Sequence, residues 1–208
     1  MKRDIQGSRF YSTAKNWLLD QGYEEEITWQ ADQLPGAVSE REFLREAAWV
    51  VYCSGFREAT VRRHFDFLSL CFFDWSSAMQ ISLSADLCIS TAMHAIANRR
   101  KHSAVAAIAG RVAEATYPAF KRTFLQEPIA TFRTLPFLGP VTAIHLAKNL
   151  GFDVAKPDRH LVRLKDRFGF NNVEEMCQSI ATSSGDSVKV IDLVLWRYLE
   201  QAQHRAKY

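Results

Sequence analysis

The chain is expected to be all-α and two-lobed, and three observations carry that expectation. Apolar residues recur at the spacing of a helix through most of its 208 residues. Capping residues and Gly or Pro breaks punctuate those stretches at helix-length intervals. Strand-like pattern is confined to short pieces such as Gln80 to Leu83.

Taken in order, Phe10 to Asp20 places Phe10, Ala14, Trp17 and Leu18 on one helical face, and Gly22 follows as a stop. Glu24 to Glu26 and Leu34-Pro35-Gly36 read as loop or short helix. Ser39, with Glu42 three residues on, has the form of a capping box and opens an apolar helix through Tyr52. Ser54-Gly55 breaks it, and a further helix from near Arg57 carries Val61, Phe65 and Leu68 on one face. Ala92 to Val112 is expected to give one or two Ala-rich helices around Arg99-Arg100-Lys101. Glu127 to Leu135 reads as a short helix, Pro136 to Gly139 as a tight turn, and Pro140 to Leu150 as a second helix with proline at its first position. Gly151 closes it. Asp158 then caps a helix running through Leu161, Leu164 and Phe168 to Gly169. The last helix, about Ser187 to Gln201, turns Val188, Ile191, Leu195 and Tyr198/Leu199 inward. No repeat, low-complexity tract or linker intervenes. The expected organisation is therefore one unit over 1–208, with lobes roughly 39–133 and 134–208 plus the N-terminal segment.

Composition narrows the class. With 14 Phe and 5 Trp the chain has ample apolar surface to offset its ordering entropy, which excludes disorder. No apolar run approaches the roughly 18 residues of a membrane span. No apolar signal region follows Met1-Lys2-Arg3-Asp4-Ile5, so no membrane partner is expected. Cys53, Cys71, Cys88 and Cys177 are scattered without a C-x-x-C pair. That pattern argues against a zinc site, an iron–sulfur cluster or a disulfide scaffold, and fits a reducing cytoplasm. The net charge of +3 is mild, but its distribution is uneven. Residues 97–170 carry 13 Lys and Arg against 5 Asp and Glu, and the remainder carries 13 against 18. Such segregation is either the footprint of a polyanion partner or a solvated basic face.

Two stretches carry chemistry. Leu135-Pro136-Phe137-Leu138-Gly139-Pro140-Val141-Thr142-Ala143 reads as helix, hairpin, helix, spanning 127–150 with its flanks. At such a hairpin, backbone N–H groups and a helix N-terminus face outward together and seat a phosphate, which fixes register on DNA without reading its sequence. Lys156-Pro157-Asp158-Arg159-His160-Leu161-Val162-Arg163-Leu164 then sets a carboxylate at a helix N-cap, 17 residues after Val141. Asp158 is either a structural cap or a functional anion.

These stretches resemble the helix-hairpin-helix base-excision DNA glycosylases, the superfamily of endonuclease III, the adenine mismatch glycosylase and 8-oxoguanine glycosylase. Leu135, Pro136, Gly139, Thr142 and Ala143 match the family's hairpin L-P-G-x-G-x-x-T-A. Asp158, His160, Arg163 and Leu164 match its later D-x-H-x-x-R segment. Phe43 to Phe72 looks like the first helix pair, and Ile96 to Ala109 like the turn and helix before the hairpin, so the likeness runs over roughly Ser39 to Leu199. The resemblance implies a two-lobed helix-hairpin-helix glycosylase fold, with Asp158 as the catalytic carboxylate. A fixed anion there would stabilise oxocarbenium charge on the deoxyribose. It implies DNA contacts at Leu135, Phe137, Gly139, Val141 and Thr142. For Arg99, Arg100, Lys101 and Arg163 the alternatives are phosphate contact and solvated charge.

The departures are informative. Family members with lyase activity carry a lysine where this chain has Val141, so the chain looks monofunctional and water-dependent. Lys148 and Lys156 are the nearby candidates for a displaced nucleophile; for Lys148 the competing roles are phosphate contact and solvation. Phe137 replaces the first hairpin glycine, either altering the phosphate clasp or plugging the core. The four-cysteine iron–sulfur loop is absent, and no metal is expected at the site. The break at Ser54 to Arg57 falls where the family presents gap-filling residues, which makes Phe56 and Arg57 candidate wedges. Trp49 and Tyr52, with Trp29 and Trp196, are candidates to stack on a flipped base, each with core packing as the alternative. His145 and His160 are given no catalytic role.

The implied activity is hydrolytic excision of a damaged or modified base from duplex DNA by a monomer, without cofactor, with room for a monovalent cation in the hairpin. The implied location is cytoplasmic and nucleoid-associated, or nuclear in a eukaryote. The rival readings are a glycosylase/lyase using Lys148 or Lys156, a non-catalytic DNA-binding protein on the same scaffold, and an enzyme for modified foreign DNA.

Overall fold

Helical spacing becomes helix almost throughout. The computed structural model describes residues 2–205, and among them are thirteen α-helices and no strand. Met1 and residues 206–208, which ended the expected domain limits, lie outside the described residues.

Helix α1 is Lys2–Asp20 and α2 is Glu24–Asp32. Helix α1 buries Tyr11, Ala14 and Leu18, with Phe10 and Trp17 packed at the margin. It begins eight residues before the apolar pattern does, because polar contacts hold its first turns. Arg3 donates to Glu175 at 2.9 Å and Ser179 donates to Asp4 at 2.8 Å.

Helix α3, Glu40–Cys53, starts at the capping box: Ser39 Oγ accepts from the Glu42 amide, and the Glu42 carboxylate accepts from the Ser39 amide at 2.7 Å. Helix α4, Glu58–Cys71, buries Val61, Phe65 and Leu68, the three residues its spacing singled out. Short helices α5, Ala78–Leu83, and α6, Ala85–Ala92, follow. The strand expectation at Gln80 to Leu83 is thus wrong. Ser77 caps α5 through the Gln80 amide, and Ala78 and Ile81, three apart, are its buried face.

Helix α7, Arg99–Ala115, is separate from α6. Residues 93–95 form a turn and 96–98 are irregular, and Asn98 caps α7 by accepting from the Lys101 amide at 3.2 Å. Helix α8, Tyr117–Gln126, supplies Phe120 and Phe124 to an aromatic cluster with Phe43 and Phe132. Helices α9, Pro128–Arg133, and α10, Pro140–Asn149, flank the hairpin. Helix α11, Arg159–Phe168, ends at Gly169 in the left-handed conformation. Helices α12, Val173–Ser184, and α13, Val188–Arg205, complete the chain.

The chain divides into two units, one of Pro35–Leu150 and one of residues up to Leu34 together with those from Gly151 onward. In the first, α7 packs on α3, α5 and α6, while α10 packs on α3 and α9. In the second, α1, α2, α11 and α12 pack on α13 around Leu18, Leu161, Ile180, Ile191 and Leu195. The expected division near residue 134 is corrected: it would cut the hairpin, whose second helix buries Ala143, Leu146 and Ala147 within the 35–150 unit. The N-terminal helices belong with the C-terminal ones. Among the described residues no helix is long and apolar enough to cross a membrane.

Candidate functional site

The hairpin is built by short local hydrogen bonds. Leu135 N–H donates to Phe132 O at 3.0 Å and Leu138 N–H donates to Leu135 O at 3.2 Å. Leu135 and Leu138 are buried and anchor the turn, so Leu135 is a support rather than a surface contact. Phe137, between them, has φ +68° and is 36% exposed. The alternative of a core plug is therefore excluded: Phe137 adopts the backbone conformation that favours glycine, and its ring stays partly exposed while the Lys101 ammonium lies 5.0 Å from its centroid.

Gly139 caps α10 in an extended conformation, and among the described residues no side-chain cap satisfies the amides of the first turn. Thr142 Oγ1 donates back to Gly139 O at 3.2 Å, and Val141 is 41% exposed. A Cβ on Gly139 would meet nothing closer than Thr142 Oγ1 at 3.9 Å, which leaves the amide end of α10 open to an incoming anion.

The basic cluster divides. Arg99 and Arg100 are exposed in the first turn of α7. Cations at a helix N-terminus oppose the macrodipole, so helix stability does not explain them. Arg100 lies over the Phe137 ring, 5.6 Å from its centroid. Lys101 is different: it is 4% exposed, and its ammonium donates to the carbonyls of Val51, Tyr52 and Ser54. Neither alternative set for it, phosphate contact or solvated charge, holds, and burial lowers its pKa.

The candidate wedge follows α3. Gly55 takes φ +88°, Phe56 is half-buried beside the Lys101 ammonium at 5.0 Å, and Arg57 is exposed at the start of α4. Tyr52 is fully buried and bonded to His102, which removes it as a base-stacking surface. Trp49 is half-buried, edge-on to Phe65 at 5.0 Å, with Arg62 over its ring.

Asp158 lies in the other unit and caps α11. Its Oδ1 accepts from the His160 amide at 2.8 Å and the Leu161 amide at 3.0 Å. Among the described residues no hydrogen bond reaches Oδ2, and the side chain is half-buried. Arg163, on the next turn, is exposed. His160 is buried, and burial lowers its pKa.

The loop leading to Asp158 is pinned at consecutive amides. Glu174 accepts from the Ala155 amide at 2.9 Å, and Asp192, itself 2% exposed, accepts from the Lys156 amide at 2.7 Å. Sequence reading missed both carboxylates; an acidic residue at an inward position of the last helix is the signal that could have found Asp192. Lys156 is half-buried, whereas Lys148 is 5% exposed within the 35–150 unit, so solvation of Lys148 is also ruled out.

The fold is shared with known proteins. No protein-family model and no curated protein matches this chain. Among solved structures, the chain is similar to the 8-oxoguanine DNA glycosylase of Thermotoga maritima, with a TM-score of 0.60 and 15% identity over 91% of this chain and 95% of that one. It is also similar to the 8-oxoguanine glycosylase/lyase of Methanocaldococcus jannaschii, crystallised with DNA containing 8-oxoguanine. There the TM-score is 0.53 and the identity 18%, over 94% and 97% of the two chains. The all-α helix-hairpin-helix glycosylase fold is therefore the fold of this chain.

Proposed function

We propose that the chain is a monofunctional DNA glycosylase that removes a damaged or modified base from duplex DNA. The observation that carries this reading is Asp158, a carboxylate held by two backbone amides through one oxygen, with the other left for chemistry, in a chain with the complete fold of base-excising enzymes.

In this reading the α10 amides and Thr142 seat a backbone phosphate, with Val141 and Gly139 at the contact, and Arg99, Arg100 and Arg163 neutralise neighbouring ones. Phe56 and Arg57 fill the space of the extruded nucleotide. The C1′–N bond breaks with its electrons leaving on the base, Asp158 stabilises the oxocarbenium charge, and water bonds to C1′ and gives up its proton to the departing base anion, which leaves as the neutral free base. Hydrolysis leaves an abasic site, because Val141 has no amine with which to form an imine. The chemistry needs no organic cofactor or metal; Phe137 O and Gly139 O, which both face Thr142 Oγ1, are the hairpin oxygens a monovalent cation would use. The protein acts as a monomer on DNA wherever the chromosome is.

The test is incubation with labelled duplexes carrying a panel of damaged, mismatched and modified bases, with and without hot alkali. Strand breaks only after alkali are expected. Breaks without alkali, or a borohydride-trapped adduct, would replace the monofunctional reading with a lyase and direct attention to Lys156. Salt-sensitive binding without cleavage of any substrate would leave a DNA-binding scaffold.

A further inference from the structure

Lys101 holds together two surfaces that the glycosylase reading uses, and the inference rests on that reading. Its ammonium donates to the carbonyls of Val51, Tyr52 at 3.3 Å and Ser54 at 2.6 Å. These are acceptors in the last turn of α3 and its cap, the groups that a helix end leaves without intrahelical partners. A cation there also suits the negative end of the helix. The same nitrogen lies 5.0 Å from the centroid of the Phe56 ring and 5.0 Å from that of Phe137. Its three N–H donors match the three carbonyls, so it has no further donor for a phosphate. One buried charge therefore touches the turn after α3 and the tip of the hairpin, with an aromatic face on each.

We propose that Lys101 is a positioning residue that fixes the Phe56–Arg57 turn against the Phe137 hairpin, coupling the grip on the DNA backbone to extrusion of the base. A hairpin glycine at position 137 would offer no ring for this contact. The residue that departs from the family's hairpin motif is thus the one that completes the coupling. Arg100, 5.6 Å from the centroid of the same hairpin ring, is exposed and remains available to phosphate.

The test uses the full chain and a duplex carrying 2-aminopurine in a mismatched pair, whose fluorescence rises when that base is unstacked and extruded. For Lys101→Met, the expected result is an affinity within about threefold of wild type and a fluorescence rise lowered by about tenfold, since a desolvated cation–π contact is the stronger kind. In a Phe56→Ala background the same substitution should add nothing, because both act through one turn. A merely structural lysine would lower affinity and amplitude together and would act additively with Phe56→Ala; either result overturns the proposal, as does an unchanged amplitude. Should Lys101→Met not fold, Phe56→Ala and Phe137→Ala, singly and together, carry the test: non-additive losses of amplitude support the coupling, and additive ones overturn it. If the wild type neither binds the duplex nor raises its fluorescence, the glycosylase reading itself fails, which is seen without any variant and takes this inference with it.

Discussion

Tyr52 donates its phenolic hydrogen to Nδ1 of His102 across 2.8 Å. The direction follows from the other ring nitrogen, Nε2, which lies 2.7 Å from the Ile96 carbonyl. A carbonyl only accepts, so Nε2 carries the hydrogen, Nδ1 is the acceptor, and the ring is neutral. Both side chains are fully buried, and the pair ties α3 to the turn before α7. Tyr52 therefore supports the residues around Lys101 instead of forming a base pocket.

A pH dependence follows from that pair. Burial pushes the pKa of His102 below the ordinary imidazole value of 6.5, and His160 is lowered for the same reason. The unfolded chain then takes up protons first on acidification, so this stability is fully present above 6.5 and is lost as pH falls towards the folded values. Urea unfolding followed from pH 8 to pH 5 should show that limb, and His102→Gln should flatten it; an unchanged limb would assign it to His160. Tyr52→Phe leaves a buried acceptor unsatisfied and should cost about 1–3 kcal/mol at neutral pH.

Asp158→Asn separates capping from catalysis. Asparagine caps helices about as well as aspartate, so unfolding should shift by less than about 0.5 kcal/mol. Excision should fall by about 10²–10³-fold with duplex affinity retained, because only the anion is lost. Loss of stability with activity intact would make Asp158 a cap and nothing more.

The salt dependence of DNA binding should sort the basic residues. Arg99, Arg100 and Arg163 are exposed, and each alanine variant should reduce the slope of log K against log salt by about 1. Lys101→Met should leave the slope unchanged, because that ammonium already serves three carbonyls. A slope that drops for Lys101 would mean that the side chain leaves its pocket to meet DNA.

The sequence was most legible where local chemistry decides the structure. The Ser39 box, the Asp158 cap and the inward face of α4 are all short-range patterns, and each forms as its residues suggest. The Lys101 pocket was illegible, because its acceptors lie about fifty residues away and become acceptors only once α3 ends at Ser54. Phe137 was legible only in part: its place in the hairpin left DNA contact and a core plug open, and the turn decides between them with a positive φ and a ring 36% exposed. The α5 segment carries too few residues for period 2 and period 3.6 to be told apart, and the Ser77 cap decides it. Helix α1 packs with the C-terminal helices through Tyr11, Ala14 and Leu18, and what periodicity does not report is the polar contacts that extend its first turns.

Gly151 tests how much of the fold depends on one close approach. Its role as a helix stop accounts for φ +94° but not for what faces it. A Cβ there would lie 2.5 Å from Gln33 O, 2.6 Å from Gln33 C and 2.8 Å from Leu34 N, all of them backbone atoms that cannot swing aside. The Lys189 ammonium, buried at 6% exposure, donates to Gln33 O at 2.5 Å and holds that backbone in place. Two penalties therefore act together in Gly151→Ala, the left-handed φ and the steric conflict, and neither can relax without breaking the lysine contact. The substitution should destabilise by about 3 kcal/mol or more, well above the typical cost of a point substitution. Gly169→Ala, with φ +78° but nothing within 4 Å of the added carbon, isolates the backbone penalty and should cost only about 1 kcal/mol. Equal losses for the two variants in chemical unfolding would show that the Gln33 backbone yields and that the close approach contributes nothing.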